Sequence, residues 1–208
     1  SHKTRALALV VMLATPLSNL PAATAADSSW LDPADPALAP TIEDAKAAMQ
    51  QLASTLTPAV KAAVQAGGPD QGVVVCHTQA PSLTEQSTQK SPPRVTELKR
   101  TSLKIRNPAN SPDPAEQAAL ARIENLMAEG KPLPGLLVQK LEATPEHPAE
   151  LRIYKPLTLA AQCLACHGDP ATFSPSLRAA LTQQYPEDTA TGYAEGDWRG
   201  LIRVSLKP

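Results

Sequence analysis

Apolar residues recur three and four positions apart at Met49, Leu52, Leu56, Val60 and Val64, which predicts a helix. Thr41 offers a hydroxyl for its N-cap, with Glu43 and Asp44 in the favourable first turn, and Gly67 to Asp70 (GGPD) stops it. Pro58 lies inside and predicts a kink. A second helix is expected over Gln71 to Gln89, closed by Ser91-Pro92-Pro93, although Val73 to Cys76 taken alone also suits a strand. From Arg100 to Arg106 the pattern changes to period two, with Thr101, Leu103 and Ile105 against Arg100, Ser102, Lys104 and Arg106. That is a strand with one cationic face, ended by an Asn/Pro turn. Helical spacing returns between Pro114 and Met127 at Ala119, Ile123 and Leu126. Strands are expected at Leu136 to Glu142 and Leu151 to Leu157, and a last one in WRGLIRVSL. There Ile202, Val204 and Leu206 face inward while Arg199, Arg203 and Ser205 face outward. Helices first and antiparallel strands after them predict an α+β domain, not a doubly wound one.

Composition divides the chain into three parts. Residues 1–26 have a basic head (His2, Lys3, Arg5), an apolar run from Ala6 to Ala14 and a small-residue exit at Ala23-Thr24-Ala25, the layout of a secretory signal peptide. The apolar run is about half the roughly 20 residues of a membrane span, so the expected product is exported, periplasmic or beyond, and soluble, with no lasting span after cleavage. Residues 27–40 form an Ala/Pro/Asp arm without period, expected to be disordered. Residues 41–208 are then the domain. Removing the signal deletes Lys3 and Arg5 but no acid and takes the formal charge from −1 to about −3, which argues against a nucleic-acid partner. With 22 Pro and 3% aromatics, the chain has many turns and little flat apolar bulk, a deficit that a flat prosthetic group can make good.

Between the last strands, AQCLACHGDP holds Cys163, Cys166 and His167 at the spacing of c-type haem attachment. Two thiols three residues apart reach the vinyl carbons of one porphyrin edge, and the adjacent His reaches the iron. A thioredoxin-like pair wants a long helix after the first Cys, whereas Gly168-Asp169-Pro170 breaks the chain; a zinc site wants further donors from elsewhere. For the sixth iron position the chain offers Cys76, His77, His147, Met49 and Met127. The methionines fall on apolar helix faces and His147 in a Pro-flanked loop. Cys76 stands out because an exported chain keeps no idle thiol without reason, and iron ligation supplies one. His77 is its nearest competitor.

The ordered set CHTQAP, KRTSLKIRNPANSPD, CLACHG and GDWRGLIRVSL resembles the bacterial haem c domain family. The resemblance implies a PAS-like α+β domain with one covalently bound haem c and with His and Cys as axial ligands, which map onto His167 and Cys76. Arg100 and Arg106 on the cationic strand then become candidate partners of the haem propionates, and Tyr154, Phe173, Tyr193 and Trp198 candidate pocket aromatics. A six-coordinate iron leaves no substrate site at rest. The expected role is a redox or gas sensor read by a separate protein partner, the alternative a low-potential electron carrier. A sulfur-compound-oxidising enzyme ranks last, since no acid-base constellation accompanies the single haem motif.

Overall fold

The computed structural model describes residues 28–208, so the signal peptide expected over 1–26 lies outside the described residues. Five antiparallel strands form one sheet: β1 (Ser28–Leu31), β2 (Val95–Thr101), β3 (Leu137–Leu141), β4 (Glu150–Thr158) and β5 (Trp198–Leu206), in the order β1-β3-β4-β5-β2. Six helices accompany them: α1 (Ala39–Gly67), α2 (Pro69–Thr78), α3 (Ala80–Gln89), α4 (Pro114–Ala128), α5 (Leu164–His167) and α6 (Pro175–Gln184). The expected α+β, PAS-like class is what is seen.

The pleat sends successive strand residues to opposite faces, and each face has its own cover. Ile42, Ala45, Met49 and Leu52 of α1 pack on Val138, Ile153, Ile202 and Val204. Ala119, Leu120 and Ile123 of α4 pack on Leu137, Tyr154 and Leu201. A third, smaller cluster joins α2 to α6 through Val73, Phe173, Leu177 and Leu181.

Several expectations are corrected. The arm over 27–40 is not wholly unordered, because Ser28 to Leu31 pairs with β3 from Ser28↔Leu141 to Leu31↔Val138. Its ladder hydrogen bonds outweigh a composition that looks loose. Helix α1 begins at Ala39 without a side-chain cap, and Thr41 instead accepts a hydrogen bond from Arg94 Nη1 at 2.6 Å. Pro58 lies within the helix as expected. The helix expected over Gln71 to Gln89 is two, α2 and α3, parted at Gln79 just ahead of Pro81. Strand β2 ends at Thr101 rather than Arg106. Ser102 turns its hydroxyl onto Lys104 O at 2.6 Å, and Leu103 is 48% exposed. The outward face of β5 is covered by α4, so Arg203 is 2% exposed. Its guanidinium lies against Glu116, itself fully buried, at 2.8 Å without hydrogen-bond alignment, and pairs with Glu97 at 2.6 Å. Met127 is 46% exposed and thus no core residue, whereas Met49 is one.

Candidate functional site

Gly68, at φ 89°, turns the chain between α1 and α2, and Gly72 lets the two helices touch. A Cβ on Gly72 would lie 2.7 Å from Val64 Cγ2. This close packing delivers Cys76, in the last turn of α2, half-buried onto a cavity beside the sheet. His77 is about 100° further round the helix. It is exposed and sets its ring edge-on to Tyr185 with centroids 5.2 Å apart, outside the cavity lining. His147 sits exposed between β3 and β4.

On the opposite side of the sequence, α5 places Cys166 and His167 in consecutive positions, with Cys163 just before it; all three cysteines are free and half-buried. Cys166 Sγ donates to Pro69 O at 3.6 Å, which brings the start of α2 to the motif. His167 Nδ1 lies 2.7 Å from Ala190 O. A carbonyl only accepts, so Nδ1 carries the proton and Nε2 keeps a free lone pair. Burial, then the nearby Arg106 charge, pushes this imidazole down to about 3, so the ring is neutral.

Arg106 holds the motif's frame. Its Nε donates to Asp188 Oδ2 at 2.9 Å, and its Nη2 donates to Cys166 O at 2.6 Å and Ala190 O at 3.3 Å. Gly192 N donates to Gly168 O at 2.8 Å and Tyr193 N to His167 O at 3.0 Å, so the segment after α6 is zipped along the motif.

Cys76, Arg100, Arg106 and His167 line one cavity of about 160 Å³, together with Tyr185 and Arg199. Burial raises the Cys76 thiol, against the opposing pull of Arg100 and Arg106. Arg100, on β2, forms no side-chain hydrogen bond or ion pair among the described residues. Burial lowers its guanidinium, against the pull of Cys76 and Tyr185. Arg199 also faces the cavity and donates to Ser102 Oγ at 2.6 Å and Lys104 O at 2.9 Å. Gly200, at φ 153°, seals the wall. A Cβ there would meet Thr101 O and stand 2.6 Å from Ser102 Cβ.

Tyr185, Arg199, Asn107 and Asn110 also line the cavity, none of them among the expected site residues. Helix α6, absent from the expected elements, carries Tyr185 at its C-cap; the signal for it is the N-cap Ser174 with Leu177 and Leu181 four residues apart. The aromatics proposed for the pocket lie elsewhere. Tyr154 is fully buried under α4 and donates to Gln139 Oε1 at 2.7 Å. Phe173 is in the α2–α6 cluster, Trp198 packs toward α4, and Tyr193 approaches His167 edge-on at 6.4 Å.

A model of the Tll0287-like family matches residues 35–207, nearly all of this domain. The chain belongs to the Tll0287-like family. Among solved structures, the crystal structure of the cyanobacterial heme-protein Tll0287 matches with a TM-score of 0.58 and 21% identity. The match covers 80% of this chain and 94% of that one. At that identity the Tll0287 likeness shows the fold. Curated proteins furnish no match. Among the described residues, no helix of this Tll0287-like chain is long and apolar enough to cross a membrane.

Proposed function

We propose that this Tll0287-like protein is an exported mono-haem c protein that acts as a redox or gas sensor, its state read by a separate protein. Cys163 and Cys166 are the attachment residues, His167 and Cys76 the axial ligands, and Arg100 and Arg106 the cations at the propionate side. One observation carries this reading: a neutral His with a bare Nε2 and a thiol about 90 residues away line the same cavity. The relative being described as a heme-protein points the same way.

The donor set fits the group. A soft sulfur and an imidazole suit iron, and Arg100 is an unspent cation suited to a carboxylate. The cavity of about 160 Å³ is smaller than the roughly 300–1,000 Å³ of ordinary ligand pockets. Accommodation of a porphyrin therefore requires long wall side chains to swing outward, Arg100 first, because Arg106 is tied on three sides. Bound there, the haem supplies a one-electron couple. The two ligand residues are held differently. Ala190, itself gripped by Arg106, orients His167 from behind, as outer partners do for metal-bound imidazoles. Among the described residues Cys76 has no such support, and burial favours its protonated form, so of the two residues that would hold the iron it would be the one released as a thiol.

The second reading, a low-potential electron carrier, draws support from the close packing of α2 on α1, which opposes rearrangement. Redox titration with optical and EPR detection separates the two. We expect the wild type to show a low-spin thiolate signature that Cys76→Ser abolishes and His77→Ala leaves intact; a bis-histidine low-spin signature that His77→Ala abolishes and Cys76→Ser leaves intact makes His77 the ligand. Carbon monoxide binding to the reduced protein with loss of the sulfur ligand supports sensing. Reversible cycling with both ligands kept supports the carrier.

A further inference from the structure

On the face of the sheet covered by α1, an open groove of about 880 Å³ that shares Leu157 with the Cys76 cavity runs between α1, the turn at residues 32–34, the approach to β3 and the β4–β5 pair at Lys155 and Ile202. Its volume lies in the roughly 300–1,000 Å³ range of small-ligand sites. The floor is apolar: Met49 and Ile202 are 5% and 8% exposed, with Leu136 and Leu157 beside them. The charged groups on its lining are Lys46, Asp32 and Lys155. Lys46 is paired with a carboxylate, and Asp32 is held in its turn by a backbone N–H with its charge not cancelled. Lys46 Nζ donates to Glu43 at 2.8 Å, and Asp32 Oδ1 accepts from Ala34 N at 2.9 Å. Lys155 is exposed, sits opposite Ile202 in the β4–β5 register, and has no hydrogen bond or ion pair among the described residues.

An apolar trough with one uncommitted ammonium at its margin matches a molecule with a single apolar tail and one anionic head. We propose that this groove binds a free single-chain amphiphilic carboxylate, its tail along Met49, Leu136 and Ile202 and its head on Lys155. Apolar area supplies the grip and the charge-assisted hydrogen bond selects the acid. The site does not depend on haem, so it stands or falls apart from the function proposed above.

Dansyl-labelled undecanoic acid is the probe, followed by fluorescence on the full chain, with lauric acid and lauryl alcohol as competitors. Lys155→Glu removes the head contact and Ala53→Trp fills the groove. Both positions are exposed, so the melting temperature of each variant should match the wild type. Leu157 is left intact because it also lines the Cys76 cavity. Expected are saturable probe binding, displacement by laurate in preference to the alcohol, an affinity loss of about tenfold or more in Lys155→Glu for the acids only, and loss of all binding in Ala53→Trp. Absence of saturable binding, an alcohol that competes as well as the acid, or Ala53→Trp binding like the wild type overturns the proposal. So does binding only to vesicles of anionic phospholipid, which would indicate a membrane surface.

Discussion

Arg100 and Arg106 carry the same charge on the same cavity, yet their surroundings assign them different work. Arg106 and Asp188 form an ion pair with side chains only 9% and 8% exposed, and the guanidinium also spans two carbonyls. Removing one partner strands a buried charge, which costs about 3–5 kcal/mol. Arg106→Met is therefore expected to lower stability by that amount in urea titration. Arg100→Met gives up no protein partner and should stay within about 1 kcal/mol of the wild type, its effect showing only when an anionic group is bound. Equal losses in the two variants would contradict this division. Residue identity alone did not separate them, because both lie in one basic run and the run says nothing of which cation is already spent. The same holds for Cys76 and His77. Neighbours in sequence, they are parted by the helical turn that puts Cys76 on the cavity lining and leaves His77 exposed, edge-on to Tyr185 and outside that lining.

At the scale of elements, α4 repays attention because its N-terminus is built from a capping box. Asp113 Oδ1 accepts from Glu116 N at 2.8 Å while Glu116 Oε2 accepts from Asp113 N at 2.9 Å, and Arg152 Nη1 reaches Asp113 at 2.7 Å. Burial by itself would raise the Asp113 carboxyl, but the Glu116 N–H and the Arg152 guanidinium together hold it below its ordinary value. A depressed folded value means that the contribution is present above the unfolded pKa of about 4 and is lost as pH falls through the folded value. Asp113→Asn should thus narrow the stability gap from wild type between about pH 6 and about pH 2, read as converging urea midpoints; a gap that widens toward acid would refute it. Loss of the cap in Asp113→Ala adds about 1 kcal/mol. The helix itself was legible from its period and its leading Pro114, and its range matches closely. Its position was not legible, and that position turned the supposed solvent face of β5 into a buried layer holding Arg203 and Glu116.

For the molecule as a whole, the sheet order shows what the N-terminal segment does. Strand β1 closes the β3 edge, and Trp30 packs on the α4 side with Arg122 5.0 Å over its ring. Deleting residues 28–31 should cost about 3 kcal/mol, the burial of a large side chain. The expected fall in Tm is roughly 6–12 °C at about 2–4 °C per kcal/mol, with faster amide exchange along β3; an unchanged Tm would mean that the edge needs no cover.

Read alone, the amino-acid order determined what depends on short-range periodicity and covalent spacing: the α+β class, the cores of α1, α4, β3, β4 and β5, and the Cys163–Cys166–His167 motif. Those features repeat every two or 3.6 residues, or lie within one turn, so neighbouring residues suffice to express them. Strand β2 was misplaced because its alternation runs on into a turn after Thr101, where hydrogen bonding, not hydropathy, ends the ladder. Only the tertiary structure decided that Cys76 and His167 share a cavity, that Arg106 is bound and Arg100 is not, and that a groove opens beside Lys155. Each of these is a meeting of segments far apart in the chain, and its geometry comes from how the helices pack over the two faces of one sheet.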